Sequence, residues 1–276
     1  MATAVITGGT AGIGRALAET YLCRGYDVLA IGSSPRNGRD FLGYAKDAGA
    51  GDRAHFLAAD LSEVAGTERL AATIAGRFPV VDVLVLAARY HRSTRLVTPE
   101  GFESNFALFY LSRFLLSHGL VGPLSRAGRP VVLNFGGAGQ AGPVRWDDLQ
   151  LERDYSGTGA MAHAATLNDL LGLSFVDLHR ETGIRYLLNH PGVVATTFAG
   201  EYDPVTAARV EYLKVIGKSA EQSVSQILPY LDRPTTARLT AVHEGIQVPL
   251  EPRPFTRHEA ARLHEATTKL LAEARC

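Results

Sequence analysis

Residues 3–15, TAVITGGTAGIGR, decide the fold of this chain. A short apolar run over residues 3–7 leads into a glycine-rich turn, and a helical pattern begins directly after the turn. Glycines in such a turn let backbone N–H groups approach a pyrophosphate, and the N-terminus of the helix adds partial positive charge. Because these glycines stand between a strand and a helix, the stretch predicts a dinucleotide-binding turn.

The rest of the chain alternates between apolar β-branched runs and helical patterns, which predicts an α/β fold. The predicted strands are residues 3–7, 27–31, 54–58, 81–87, 130–135 and 184–189, and the predicted helices are residues 12–24, 38–49, 62–77, 99–121, 158–181, 219–231 and 255–273. Several strands are apolar on both faces, as in a parallel sheet that is covered on both sides. We therefore expect a Rossmann-type doubly wound parallel sheet with helices on both faces, forming a single domain over residues 1–276. Residues 192–218 are richer in Gly, Thr and charge, and we interpret them as a substrate flap over the site.

Composition argues against several classes of function. The 28 basic and 28 acidic residues cancel, which gives no support to a nucleic-acid footprint. No stretch reaches the roughly 18 apolar residues of a membrane helix, and the N-terminus does not have the pattern of a signal peptide. The two cysteines, Cys23 and Cys276, lack metal-ligand spacing. We therefore expect no metal and no membrane partner, in a reducing, cytoplasmic location.

Further stretches carry a resemblance to a known family. The pattern Thr-Gly-x-x-x-Gly-Ile-Gly at 7–14 resembles the cofactor loop of short-chain dehydrogenases/reductases. Asp60-Leu61 and the segments GFESNFALFYLSRFLLS (101–117) and TGIRYLLNHPGVVATTF (182–198) are similar to other parts of that family, with a Pro-Gly turn most similar to its retinol-dehydrogenase-like branch. The resemblance covers residues 3–231 and implies an oxidoreductase that uses a nicotinamide cofactor and a small-molecule substrate. The cofactor-binding residues that it implies are Thr7, Gly8, Gly12, Ile13, Gly14, Asp60, Leu61, Pro191, Gly192 and Thr196.

The end of the second strand bears on the choice of cofactor. An NAD enzyme usually has an Asp or Glu there, which binds the ribose 2′-hydroxyl. This chain has Ser33 and Ser34, with Arg36 and Arg39 close behind. A neutral pocket flanked by arginine favours the 2′-phosphate of NADP(H), although both arginines could equally be solvated.

The family's catalytic residues are missing. In the family, a tyrosine and a lysine four residues later handle the proton, a serine positions the substrate oxygen, and an asparagine holds a water relay. Spacing places the tyrosine, lysine, serine and asparagine positions on Met161, Ala165, Gly137 and Phe109. No shift of register restores the pair, because none of the ten tyrosines has a lysine four residues later and no lysine lies between Lys46 and Lys214. The resemblance therefore implies a member in which the Asn-Ser-Tyr-Lys set is replaced.

Three residues are weak candidates to replace the lost proton donor. Arg89 stands where the family has a glycine, and we favour a contact with an anion. His91 follows the fourth strand and could act as an acid near neutral pH, although a loop histidine is more often merely exposed. Tyr155 precedes the fifth predicted helix, where it could reach the site or simply pack. Asn168 shares a helical face with Met161 and is interpreted as structural.

Three functions stay open at this point. The first is an atypical oxidoreductase of specialised metabolism that binds NADP(H) and acts on a hydrophobic or aromatic small molecule, since the replaced positions leave an apolar chamber. The second is a non-redox enzyme, such as a cyclase, isomerase or dehydratase, on the same scaffold. The third is a non-catalytic protein, such as the partner of an active homologue. The apolar face of residues 105–116 would serve a homo-oligomer, but it would equally pack on its own sheet.

Overall fold

An eight-stranded sheet runs through the computed structural model, which describes residues 1–138, 142–233, 236–250 and 256–274. Its strands, in chain order, are β1 (Thr3–Thr7), β2 (Asp27–Gly32), β3 (Ala54–Ala58), β4 (Val83–Leu86), β6 (Val131–Phe135), β7 (Arg185–His190), β9 (Leu239–His243) and β10 (Ile246–Val248). A separate pair consists of β5 (His91–Arg92) and β8 (Gly200–Glu201).

The order of the large sheet is β10-β9-β7-β6-β4-β1-β2-β3, and every neighbouring pair is parallel except β10 with β9. This arrangement confirms the predicted doubly wound sheet. Parallel strands bring their carboxyl ends to one edge, so the loops after β1, β2, β3, β4, β6 and β7 meet there. The predicted cofactor-binding residues lie in these loops, at the end of β1 or in the first turns of α1 and α2.

Helices cover both faces of the sheet. They are α1 (Gly12–Cys23), α2 (Pro35–Asp47), α3 (Val64–Arg77), α4 (Ser104–Phe106), α5 (Ser112–Gly119), α6 (Val121–Ser125), α7 (Gly157–Leu178), α8 (Pro204–Ile216), α9 (Ala220–Asp232) and α10 (Arg257–Glu273). A π-helical turn, Ala107–Leu111, joins α4 to α5. Two apolar cores result: α1, α2 and α9 bury their apolar residues against one face of the sheet, and α3, α5, α7 and α10 bury theirs against the other.

The structure adds elements that the sequence pattern did not predict. Strands β9 and β10 extend the sheet past its sixth predicted strand, because β9 pairs in parallel with β7 from Tyr186 to His190. The flap also contains regular structure, since it includes β8 and a helix, α8, whose first turn is capped by the Asp203 carboxylate. The predicted helix over 99–121 begins only at Ser104, because residues 97 and 103 form a β-bridge before it.

No helix in the described part of the chain is long and apolar enough to cross a membrane. Of the two cysteines, Cys276 lies outside the described residues, and Cys23 is a free, exposed thiol at the end of α1. The apolar face of 105–116 packs partly against its own chain, where the Tyr110 hydroxyl lies 2.7 Å from Thr267 Oγ1 on α10.

Candidate cofactor and active site

The glycine turn after β1 is packed so tightly that side chains would not fit. A Cβ on Gly14 would lie 2.4 Å from the carbonyl oxygen of Gly8, and Gly12 has φ +53° with Thr196 Cγ2 3.0 Å from its would-be Cβ. Thr7 fixes the start of the turn, because its Oγ1 accepts hydrogen bonds from the Ala87 and Ala88 N–H groups at 3.1 and 3.3 Å. The turn therefore opens α1 with a bare backbone, as an anion-binding helix N-terminus requires.

The Pro191-Gly192 turn is fixed next to this cradle. Gly192 has φ +72°, and its N–H donates to His190 Nδ1 at 3.2 Å. Beyond it the chain is tied to the end of the flap, since the Ala195 N–H donates to the Lys218 carbonyl at 2.8 Å. Thr196 is thereby held directly over Gly12, which brings two of the predicted cofactor contacts together.

The loops after β2 and β3 lie beside the turn. Ser34 caps α2, because its Oγ accepts from the Asn37 N–H at 3.3 Å, whereas Ser33 is exposed. Arg36 is exposed in the first turn of α2 and has no ion pair among the described residues. The Asp60 carboxylate accepts from the Ser62 N–H and Oγ at 2.9 and 2.7 Å, while Leu61 is buried in the core.

The four family positions offer no proton donor of their own. Met161 and Ala165 lie half-buried one turn apart on α7, and Phe109 is buried in the π-helical turn. Gly137 has φ +41°, and a Cβ there would lie 1.8 Å from Asp169 Oδ1, so a serine would displace Asp169. The replaced catalytic set stays a prediction.

A buried polar network lies next to the Phe109 carbonyl. Asn168 Nδ2 donates to the Phe109 carbonyl at 2.7 Å, and Asn168 Oδ1 accepts from Asn134 Nδ2 at 2.8 Å. Arg113, also buried, donates to Asn134 Oδ1 at 2.8 Å and to the Phe135 carbonyl. Burial lowers the pKa of Arg113 to about 10, which leaves it charged at neutral pH. Asn168 therefore has the structural role that its position predicted.

Arg89 turns towards the position of the missing tyrosine. Its Nη2 lies 4.0 Å from Met161 Sδ, its Nη1 donates to the Tyr202 hydroxyl oxygen at 3.4 Å, and its guanidinium carbon stands 5.4 Å from the centre of the Phe198 ring. It forms no ion pair with any described carboxylate. The side chain thus places a positive charge beside Met161.

His91 and Tyr155 are less suited to donate a proton than the sequence suggested. His91 is buried, and burial together with the nearby Arg89 charge lowers its pKa, so the imidazole is neutral at pH 7. Burial and the Glu103 carboxylate raise the pKa of Tyr155. The Tyr155 hydroxyl is held at the start of α4, where it donates to Glu103 Oε1 at 2.9 Å and accepts from Asn105 Nδ2 at 2.6 Å.

A cavity of about 420 Å³ lies within the flap and shares Phe198 and Tyr202 with the surroundings of Arg89. Its other lining residues are Thr197, Ala199, Gly200, Ala207, Ala208, Val210, Glu211 and Lys214. Tyr202 and Phe198 were missed by sequence reasoning, since they fall in a segment of weak pattern. Pairing of β5 with β8, which brings residues 91 and 200 together, has no signature in the sequence.

Comparison with known proteins decides the family. A family model described as short chain dehydrogenase matches residues 2–143. This chain belongs to the short-chain dehydrogenase family. A putative daunorubicin C-13 ketoreductase from Streptomyces sp. (strain C5) is 30% identical, with 70% of this chain and 66% of that protein covered. Retinol dehydrogenase 12 from Bos taurus is 26% identical, with 69% and 60% covered. The match thus spans about two thirds or less of the length of these two relatives. The family model confirms the family that the sequence predicted.

Solved structures agree on the fold. The alcohol dehydrogenase from Thermococcus sibiricus, complexed with 5-hydroxy-NADP, superposes with a TM-score of 0.65 over 93% of this chain and all of that chain, at 19% identity. At this level of identity the likeness shows the fold alone.

Proposed function

We propose that this chain is an NADP(H)-dependent oxidoreductase that acts on a hydrophobic or aromatic small molecule without the family's Tyr/Lys pair. The single observation that carries the proposal is the glycine cradle, where a Cβ on Gly8, Gly9 or Gly14 would lie 2.8 Å or less from a backbone oxygen. A nicotinamide dinucleotide bound there would supply a hydride to the substrate. Family membership and structural neighbours that hold nicotinamide cofactors support the same assignment.

The chain's own residues divide the work of holding the cofactor. The N–H groups of residues 12–14 at the start of α1 would face the pyrophosphate, and Thr196 would approach it from the flap side. Arg36 and Ser33 would face the ribose phosphate at the end of β2. An arginine with no carboxylate partner beside a neutral serine supports NADP(H) over NAD(H).

The substrate would enter beside the flap. Phe198 and Met161, which lie beside Arg89, would offer apolar contacts to a hydrophobic ligand there. The similarity to a putative daunorubicin C-13 ketoreductase supports an aromatic ketone of specialised metabolism as the substrate class. The cytoplasmic location and the oligomeric state stay predictions.

Calorimetric titration with NADPH tests the proposal. We expect Gly12→Ala to weaken NADPH binding by about tenfold or more, because a Cβ would meet Thr196 and φ +53° costs about 1–2 kcal/mol for alanine. Gly43→Ala on α2 is the matched control, since nothing lies within 4 Å of its would-be Cβ. No heat of binding for wild type at millimolar NADPH would refute the proposal. Binding without oxidation of NADPH by any aromatic ketone would favour the non-redox enzyme.

A further inference from the structure

A phenol and a guanidinium from distant segments meet beside Met161. Arg89 leaves the end of β4, and Tyr202 follows β8 on the flap. Arg89 lies within 3.4 Å of the Tyr202 hydroxyl oxygen and within 4.0 Å of Met161 Sδ, so one side chain spans both. Tyr202 also lines the flap cavity.

Arg89 forms no ion pair with a carboxylate in the described part of the chain. Glu201, one residue before Tyr202, is bound by Arg92 and by the Tyr90 hydroxyl at 3.2 Å, and Asp203, one residue after it, caps α8. Arg89 also contributes to the lowered pKa of His91, which shows that its positive charge reaches the groups around Tyr202. An unpaired guanidinium in hydrogen-bond range stabilises a phenolate better than it stabilises the phenol.

Tyr202 is held rigidly for a flap residue. Its ring stacks on the buried ring of His91, with centroids 5.3 Å apart and planes at 21°. The pairing of β5 with β8 holds the two rings side by side, because the His91 N–H donates to the Ala199 carbonyl at 3.1 Å. The Tyr202 hydroxyl donates to the Phe198 carbonyl at 2.5 Å, and Phe198 itself has φ +44°. Strained backbone of this kind is concentrated at functional sites.

We propose that Tyr202 is the catalytic acid that gives its proton to the substrate oxygen, and that Arg89 stabilises the phenolate left behind. This inference rests on the proposed function. A ketone or aldehyde is reduced when its carbonyl carbon gains the hydride that NADPH supplies and the C=O π pair becomes a lone pair on oxygen. The O–H bond of Tyr202 then breaks to protonate that oxygen, and solvent returns a proton to the half-buried phenolate.

Nitration by tetranitromethane, mapped by mass spectrometry, tests the placement without any turnover. Because the donor must lie against the reacting centre, NADP⁺ at about ten times its Kd should slow nitration of Tyr202 about tenfold. Tyr212, 62% exposed on α8 of the same flap, is the internal control and should react at an unchanged rate. Equal nitration of Tyr202 with and without bound cofactor would overturn the proposal.

Kinetics with NADPH and 4-nitrobenzaldehyde then test the role. We expect Tyr202→Phe to lower kcat by about 10²- to 10⁴-fold while the Kd for NADPH stays within about twofold. Arg89→Met should lower kcat as well, Arg89→Lys should restore part of it, and the double variant should be little worse than Tyr202→Phe because the two residues act as a unit. Tyr212→Phe, which removes an exposed hydroxyl from α8 of the same flap, is the matched control and should leave kcat unchanged.

The outcomes separate this inference from the proposed function. Failure of wild type to bind NADPH removes both. Tight NADPH binding with unaltered kcat in Tyr202→Phe removes only the inference, and so does protection of Tyr212 in place of Tyr202. Protection of Tyr202 together with the loss in kcat supports it.

Discussion

Arg36 is placed where helix energetics do not favour it. It lies in the first turn of α2 directly after Pro35, and the positive end of a helix dipole disfavours a cation by about 0.3–1 kcal/mol. Since no described carboxylate compensates it, a negatively charged ligand gives the better reason for an arginine at this position.

Arg36→Ala should therefore change cofactor preference. We expect the affinity for NADPH to fall about 10- to 100-fold, the value of one charge-assisted hydrogen bond or two, with little change for NADH. Calorimetry with each cofactor at low salt measures this, and Arg209→Ala, an exposed arginine on α8, is the control. An equal loss for both cofactors would mean that Arg36 does not bind the 2′-phosphate.

Single residues differ in how much the sequence reveals about them. The glycine turn was predictable because its residues are contiguous and their chemistry is fixed by backbone geometry. The helical period predicts that Met161 and Ala165 lie one turn apart, as they do on α7, while their match to the family's catalytic positions stays a prediction. Tyr202 could not be found, because its meeting with Arg89 spans 113 residues and depends on how the flap folds.

At the scale of elements, the π-helical turn between α4 and α5 depends on one side chain. Asn168 Nδ2 donates to the Phe109 carbonyl in this turn and also to the Ala164 carbonyl, both at 2.7 Å. A π-helical turn leaves backbone groups without regular partners, and a buried group without a partner is costly.

Asn168→Leu should destabilise the protein by about 1–3 kcal/mol for each buried group that it leaves without a partner. Guanidinium chloride unfolding measures the free energy. Thr73→Ala is the matched control, because its hydroxyl also donates to a carbonyl four residues earlier, at 2.8 Å, but it is exposed on α3. The control should lose less than about 0.5 kcal/mol. Equal losses would show that the Asn168 network adds nothing to stability.

Helices and strands were predictable where the pattern of apolar residues along the chain is pronounced. All six predicted strands are present, because long apolar runs define buried parallel strands. Strand β9 was missed, since only Ala241 and Val242 of LTAVH are buried even when it pairs with β7, so the segment has no continuous apolar run. Helix α8 was missed because only Val210 of its residues is buried, so it has no apolar stripe to recognise.

At the scale of the whole molecule, α10 closes one face through a cluster of histidines. The Nδ1 atom of His118 on α5 lies 2.9 Å from the Nε2 atom of His179. The ring centre of His118 is 5.1 Å from that of His264 on α10. Burial, with repulsion from His264 and His179, lowers the pKa of His118 from 6.5 to about 3. The cluster therefore stays neutral in the folded protein.

This cluster predicts acid sensitivity. Above about pH 6.5 the His118 imidazole is neutral in both the folded and the unfolded protein, so its burial does not make the stability depend on pH. Below that pH the imidazole takes up a proton in the unfolded chain before it does so in the folded protein. Stability then falls by up to about 1.4 kcal/mol per pH unit for each such histidine, down to about pH 3. Thermal unfolding across pH 8 to 4 should show a shallower loss for His118→Phe, while the exposed His258→Phe should behave as wild type. An unchanged slope in His118→Phe would contradict the assignment.

The central claim is that the dinucleotide cradle persists beside a site whose proton chemistry has moved to the flap. A crystal structure with bound NADP⁺ tests it most directly. The account predicts phosphates against residues 8–14, the 2′-phosphate near Arg36, and the nicotinamide ring facing the Tyr202 hydroxyl with Arg89 still beside it. A glycine turn that stays empty at saturating NADP⁺, or a nicotinamide lying far from both Arg89 and Tyr202, would contradict it.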